Sequence, residues 1–112
     1  MIFITGPLFA GKQRYIKAAL HLGEEEFAAQ AVCDVQLLAA NGQDLRALAE
    51  RLAQKPIVIA TEIGGGIVPV NADERAAREA AGQLAQLLAE RAEVVLRICC
   101  GLPQVLKGTW QC

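Results

Sequence analysis

The segment Gly6-Pro-Leu-Phe-Ala-Gly11-Lys12, set directly behind the apolar run Met1-Ile-Phe-Ile-Thr5, constrains this chain more than any other feature. It fills the first seven positions of the pattern G-x-x-x-x-G-K-S/T. Glycines are needed there because backbone N–H groups can wrap around phosphate oxygens only where no Cβ intervenes. The lysine reaches the β- and γ-phosphates, and a helix opening near Gly11 adds the positive end of its dipole. Strand, glycine turn and helix in that order predict an α/β fold of the P-loop nucleotide-binding kind. The candidate nucleotide-binding residues are Gly6, Ala10, Gly11, Lys12 and Gln13. Two departures bear on chemistry. Gln13 replaces the hydroxyl residue that normally helps to hold Mg²⁺, and Pro7 lacks an N–H that could face phosphate.

The rest of the chain continues the alternation. Tyr15, Ile16, Ala19 and Leu20 fall at helical spacing within a helix from Gly11 to Leu22, closed by Gly23. Glu24-Glu25-Glu26 reads as a solvated turn, and Ala31-Val-Cys33 as a weak second strand. Asn41 is placed to cap a helix running through Ala53, with Leu45, Leu48 and Leu52 on one face. Pro56-Ile-Val-Ile-Ala-Thr61 is a continuous apolar run of the buried parallel type. Asn71 followed by Glu74 gives a capping-box-like start to a helix over Ala72–Arg91. Its apolar stripe is Ala77, Ala80, Ala81, Leu84, Leu87 and Leu88. Val94 to Cys99 is a last core strand, broken by Gly101 and Pro103. The expectation is one compact domain over residues 1–112, a small mostly parallel sheet with helices on both faces.

Composition narrows the function. A net charge of −1 steers the chain toward neither nucleic acid nor an anionic membrane, and 4% aromatic residues cannot build a base-stacking surface. No run approaches the ~18 apolar residues of a membrane span, and the apolar start has no basic n-region, so a cytoplasmic protein is expected. Cys33, Cys99, Cys100 and Cys112 form no CxxC pair, which argues against a metal site. They read as buried thiols of a reducing compartment.

A second constellation is more specific. Thr61-Glu62-Ile-Gly64-Gly65-Gly66-Ile-Val-Pro69-Val-Asn71 ends a strand in a carboxylate and passes through a glycine loop into a helix carrying Arg75 and Arg78, with Gly82 beyond. With Cys100-Gly101-Leu-Pro103 and Lys107 further on, the chain resembles the bifunctional adenosylcobinamide kinase/adenosylcobinamide-phosphate guanylyltransferase family of cobalamin biosynthesis. The likeness covers the first strand and phosphate loop, then Pro56 to Gly108. It implies ATP or GTP as nucleotide, Mg²⁺ weakened by Gln13, and a corrinoid hydroxyl as phosphoryl acceptor. It also implies assembly into a homo-oligomer. Gly6, Gly11 and Lys12 match the family's phosphate loop, while Glu62, Gly64, Gly66, Pro69, Arg75 and Arg78 match its glycine-loop motif. Lys12 and Glu62 are then the candidate catalytic residues, and Gly64, Gly65, Gly66, Pro69, Arg75 and Arg78 face substrate.

The family's long middle stretch, with its guanylylated histidine, has no counterpart between the first helix and Pro56. His21, the only histidine, stands at a helix end without an orienting partner, so guanylyltransferase activity is not expected. Ordinary structural roles compete at every position. Glu62 can be a turn carboxylate, the glycines a flexible turn, and the arginines solvated charges beside Glu74 or Glu79, while Asp34 can stand in as a strand-end acid. Three readings stay open: a compact kinase of the cobalamin pathway, a catalytically inactive relative acting as an oligomeric binding or regulatory protein, and a structural oligomer without ligand.

Overall fold

The computed structural model describes residues 1–39, 43–62 and 71–110. Its core is a five-stranded sheet in the order β2-β3-β1-β4-β5. Strand β1 (Ile2–Thr5) is central and pairs in parallel with β3 (Ile57–Ile59) on one side and β4 (Val94–Cys99) on the other. The short β2 (Ala31–Val32) extends the parallel array beyond β3. Four strands are thus parallel, as the apolar runs predict.

Alternation along the strands sorts their side chains onto two cores. Phe3, Val58 and Val95 face one cluster with Leu48, Leu52, Ala80, Leu84 and Leu88. Ile4, Ile57, Ile59, Leu96 and Ile98 face another with Ile16 and Phe27. The first cluster is covered by α3 (Leu45–Leu52) and α4 (Ala72–Arg91), the second by α1 (Lys12–Leu20) and α2 (Glu24–Gln30). Helices therefore lie on both faces. Small Ala80 and Ala81, both buried, let α4 sit close to the sheet. β1 leads to α1 on one face, and α4, the helix that follows β3 in sequence, lies on the other, so the chain switches faces at the carboxyl ends of these adjacent strands. That is where open α/β sheets take ligands.

Several sequence expectations are refined. α4 has the predicted bounds, and Asn71 Oδ1 accepts a hydrogen bond from the Glu74 N–H at 2.8 Å. Ala77 lies exposed, outside the buried stripe. The α3 cap is Asp44, which accepts from the Ala47 N–H; Asn41 lies outside the described residues. Helix α1 ends at Leu20 with His21, not Gly23, as its left-handed C-cap. Glu24, Glu25 and Glu26 are the first turn of α2 rather than a loop. Acidic side chains suit a helix N-terminus, and buried Phe27 ties the turn down beneath Lys17, whose ammonium also pairs with Glu24 at 2.8 Å.

Beyond Cys99 the chain does not stop pairing. Cys100 and Gly101 both take positive φ, +54° and +72°, and form a two-residue turn of the kind that matches the twist of a hairpin. β5 (Leu102–Lys107) returns antiparallel along β4, with Pro103 tolerated because β5 is an edge strand. Cys99 and Cys100 are exposed and Cys33 half-buried, so these three are not the core thiols that their apolar surroundings in sequence suggest; Cys112 lies outside the described residues. Among the described residues no helix is long and apolar enough to cross a membrane.

Candidate functional site

The turn after β1 is held from below. Gly6 has φ +154°, and a Cβ there would run into the Ile98 carbonyl of β4, so only glycine lets the chain turn so close to its neighbour. Its own carbonyl accepts from the Glu62 N–H at 2.9 Å, which ties the β3 loop to the β1 loop. The Ala10 carbonyl accepts from the Gly101 N–H at 2.8 Å, which ties the same loop to the β4–β5 turn. Gly11, at φ +83°, is the N-cap of α1, and no side chain caps that helix start. Its first-turn amides therefore border the loop with their partial positive charge.

Lys12 is the only buried charged side chain among the described residues. Its ammonium donates to the Gly6 carbonyl at 3.2 Å and the Pro7 carbonyl at 2.7 Å, folding the side chain across the loop it belongs to. Burial lowers the ammonium from its ordinary value of 10.5, and the negative charges of Asp34 and Glu62 pull it partway back. Desolvation of a cation beside uncapped amides makes a site that gains from an incoming anion. Gln13 is exposed at the mouth of the same cleft.

That cleft, about 540 Å³, runs from Gly11–Gln13 to Asp34 and Thr61. Asp34 reaches it from two residues beyond the β2 end, in a left-handed conformation (φ +56°), and its Oδ1 lies 3.5 Å from the Thr61 hydroxyl. The Thr61 N–H donates to Gln36 Oε1 at 2.9 Å, which fixes the β3 end against the segment after β2. Asp34, which the sequence offers as a stand-in strand-end acid, is thus brought to the lining of this cleft.

Glu62 is held differently from either sequence reading. Its carboxylate accepts two hydrogen bonds from Arg97 on β4, at 2.6 and 3.0 Å, and the pair raises the Arg97 guanidinium above its ordinary pKa through the hydrogen bond first and the charge second. A carboxylate clamped in this way is a well-oriented group. Arg97 was not identified from sequence, although it is the one charge in the otherwise apolar run Val94-Val-Leu-Arg-Ile-Cys99. Glu62 lines a smaller pocket of about 180 Å³ with Arg78, Thr5 and Gln36 beneath α4. Arg78 is brought to this pocket; Arg75 is exposed one turn earlier and does not line it. Gly64, Gly65, Gly66 and Pro69 lie outside the described residues. His21 is exposed at the far end of α1, a nine-residue helix and so roughly 13 Å from the loop.

A parallel sheet covered on both faces, with a glycine turn and a buried lysine after its central strand, defines an α/β protein of the P-loop class. A family model for cobinamide kinase / cobinamide phosphate guanyltransferase matches residues 25–106, and the chain belongs to that family. Its function is accordingly related to cobalamin biosynthesis. The match starts beyond α1, so the reading of residues 6–12 rests on their own pattern and geometry. It includes the segment from residue 25 to Pro56 as well as the β3–α4 region that carries the sequence resemblance. No individual curated protein matches the chain significantly.

Proposed function

We propose that this protein binds a nucleoside triphosphate, ATP or GTP, at the Gly6–Gln13 loop and transfers its terminal phosphoryl group to a corrinoid hydroxyl. The observation that carries the reading is the Lys12 ammonium, buried across the loop and facing a cleft that holds Asp34 and Thr61. In such a transfer the bond from the γ-phosphorus to its bridging oxygen breaks and the acceptor oxygen takes its place. Lys12 and the α1 amides would neutralise charge on the phosphates. Asp34 would accept or orient the hydroxyl proton, and the Arg97-clamped Glu62 would position the acceptor side of the crevice.

The donor set fits Mg²⁺ carried in with the nucleotide, since that ion takes one or two carboxylates, phosphate oxygens and water. Asp34 and the Thr61 hydroxyl would hold it, and it would supply neutralisation of the phosphate charge. Gln13 in place of a hydroxyl leaves this support weaker than in an intact loop. Calorimetry should therefore show nucleotide binding that Mg²⁺ strengthens only modestly in the wild type and more in Gln13→Thr. Absence of ATP and GTP binding below millimolar would remove the kinase reading and leave family membership alone. Guanylyl transfer is not part of the proposal, because His21 stands well away from the loop.

The exposed edge favours a second, compatible reading, that of an oligomer. β5 is exposed along its whole length and presents Leu102, Val105 and Leu106 to solvent, and unpaired apolar edges invite association. Light scattering at micromolar concentration should give a mass above the 12.0 kDa of one chain. A constant monomer mass on dilution and concentration would rule this out.

A further inference from the structure

Beneath the middle of α4, the pocket of about 180 Å³ lies between that helix and the carboxyl ends of β1 and β3. We infer that it seats a small hydroxycarboxylate as a phosphoryl acceptor in its own right, with the carboxylate on Arg78 and the hydroxyl toward Thr61 and the Lys12 cleft. The seat rests on the pocket alone. The transfer rests on the nucleotide reading above and adds a second class of acceptor to it.

Size comes first. At about 30 Å³ for each water-sized group, the pocket has room for about six non-hydrogen atoms. A macrocycle cannot enter it, whereas an acid of about three or four carbons can. Small residues make the room. Ala60 and Ala81 are buried in the wall, and Gly82 interrupts the row of side chains on α4. Glycine inside a helix weakens it relative to alanine, yet a Cβ at Gly82 would meet nothing within 4 Å. Packing within the chain does not require glycine there, whereas a ligand that uses the space does.

Charge comes second. Two guanidinium groups, Arg78 in the lining and Arg97 clamped on Glu62, stand against one carboxylate. The excess is positive, which favours an anion. Arg78 already interacts within the chain, but a guanidinium carries five N–H donors in a planar fork and can serve a carboxylate besides. Thr5, Thr61 and Gln36 add hydroxyl and amide groups to the lining, and the bond from the Thr61 N–H to Gln36 Oε1 holds two of these residues together. The alanines offer apolar contact to a short carbon chain.

Position comes third. Thr61 borders both this pocket and the Lys12 cleft, so a ligand seated under α4 has one end beside the groups proposed to hold the phosphates. Asp34 lines the cleft, with its Oδ1 3.5 Å from the Thr61 hydroxyl. In the transfer, the acceptor oxygen bonds to the γ-phosphorus as the bond from that phosphorus to its bridging oxygen breaks. The hydroxyl proton passes to Asp34, and the nucleoside diphosphate leaves with the electron pair.

Glycerate and glycerol form the deciding pair of probes, because they are close in size and only glycerate carries a carboxylate. Calorimetry should show glycerate binding at least about 10-fold tighter than glycerol, and Arg78→Gln should remove most of that advantage. Gly82→Leu should weaken glycerate at least about 10-fold by filling the pocket, while ATP binds as in the wild type. Its melting temperature should not fall, since leucine is the better helix former. With glycerate and MgATP together, phosphorus NMR should show a phosphomonoester formed in step with ADP. Glycerate that binds no tighter than glycerol, or that binds Gly82→Leu equally well, would overturn the seat and leave nucleotide binding standing. Glycerate binding without phosphomonoester, while ATP binds, would overturn the acceptor role. Glycerate binding without any ATP binding would overturn the transfer together with the nucleotide reading.

Discussion

Lys12→Ala is expected to bind ATP and GTP roughly 10- to 150-fold more weakly than the wild type, the loss of one charge-assisted contact of about 1.5–3 kcal/mol. The ammonium is already desolvated in the free protein, where burial lowers its pKa and the Gly6 and Pro7 carbonyls hold it. An arriving phosphate meets a cation that needs little further stripping of water, so the contact is near the strong end of its class. Stability should change far less than affinity. Deleting the side chain removes two hydrogen bonds to carbonyls but also removes the cost of keeping a cation out of water. Isothermal titration of both proteins, with thermal melts alongside, separates the two effects. Equal affinities would put the nucleotide elsewhere, most directly in the pocket shared by Glu62 and Arg78.

The second large effect concerns the floor of the loop. Gly6→Ala is expected to destabilise the fold by about 1–3 kcal/mol, the usual cost of forcing an extra carbon into a packed position. The new Cβ would meet the Ile98 backbone carbonyl in the adjacent strand, and neither backbone can yield without disturbing the β1–β4 pairing. The Gly6 carbonyl also holds the Lys12 ammonium and the Glu62 N–H, so any shift reaches both candidate site residues. For a domain near this size each kcal/mol moves the melting temperature by about 4–8 °C. Gly82→Ala supplies the opposite sign. A Cβ at this position inside α4 meets nothing within 4 Å, and replacing a helical glycine there should stabilise by about 0.5–1 kcal/mol. Differential scanning calorimetry of the pair should show one midpoint fall and the other rise. A Gly6→Ala midpoint equal to the wild type would show that the turn does not depend on the close approach.

Local signals carried the framework. The Ile2–Thr5 and Ile57–Ile59 strands declare themselves as apolar runs too short for helices, and α4 as a 3.6-residue stripe behind the Asn71 cap. The acidic turn of α2 was misread because a triplet of glutamates is equally consistent with a solvated loop. Only the burial of Phe27 and the pairing of Lys17 with Glu24 decide for helix. β5 was missed for a related reason. Leu102-Pro-Gln-Val-Leu-Lys107 begins at a glycine turn and contains a proline, and nothing local announces that β4 leaves an edge free for it.

The candidate site divides in the same way. The sequence by itself determined the strand-turn-helix of the candidate phosphate loop, because its signal is a spacing: two glycines and a lysine at fixed intervals behind a strand, whose backbone chemistry depends on no distant residue. It also placed Arg78 on the flank of the following helix, whereas the strand expected to end in Glu62 stops at Ile59. Only the tertiary structure decided what these groups meet. Glu62 is clamped by Arg97, 35 residues away; Asp34 comes to Thr61 across 27; Trp110 braces Tyr15 across 95. Each is a single pair contact with no period and no cap to betray it. Which carboxylate is locked and which stays open to the cleft is set by strand order, since β4 and β2 deliver Arg97 and Asp34 from opposite sides of the two strands that carry Lys12's loop and Glu62.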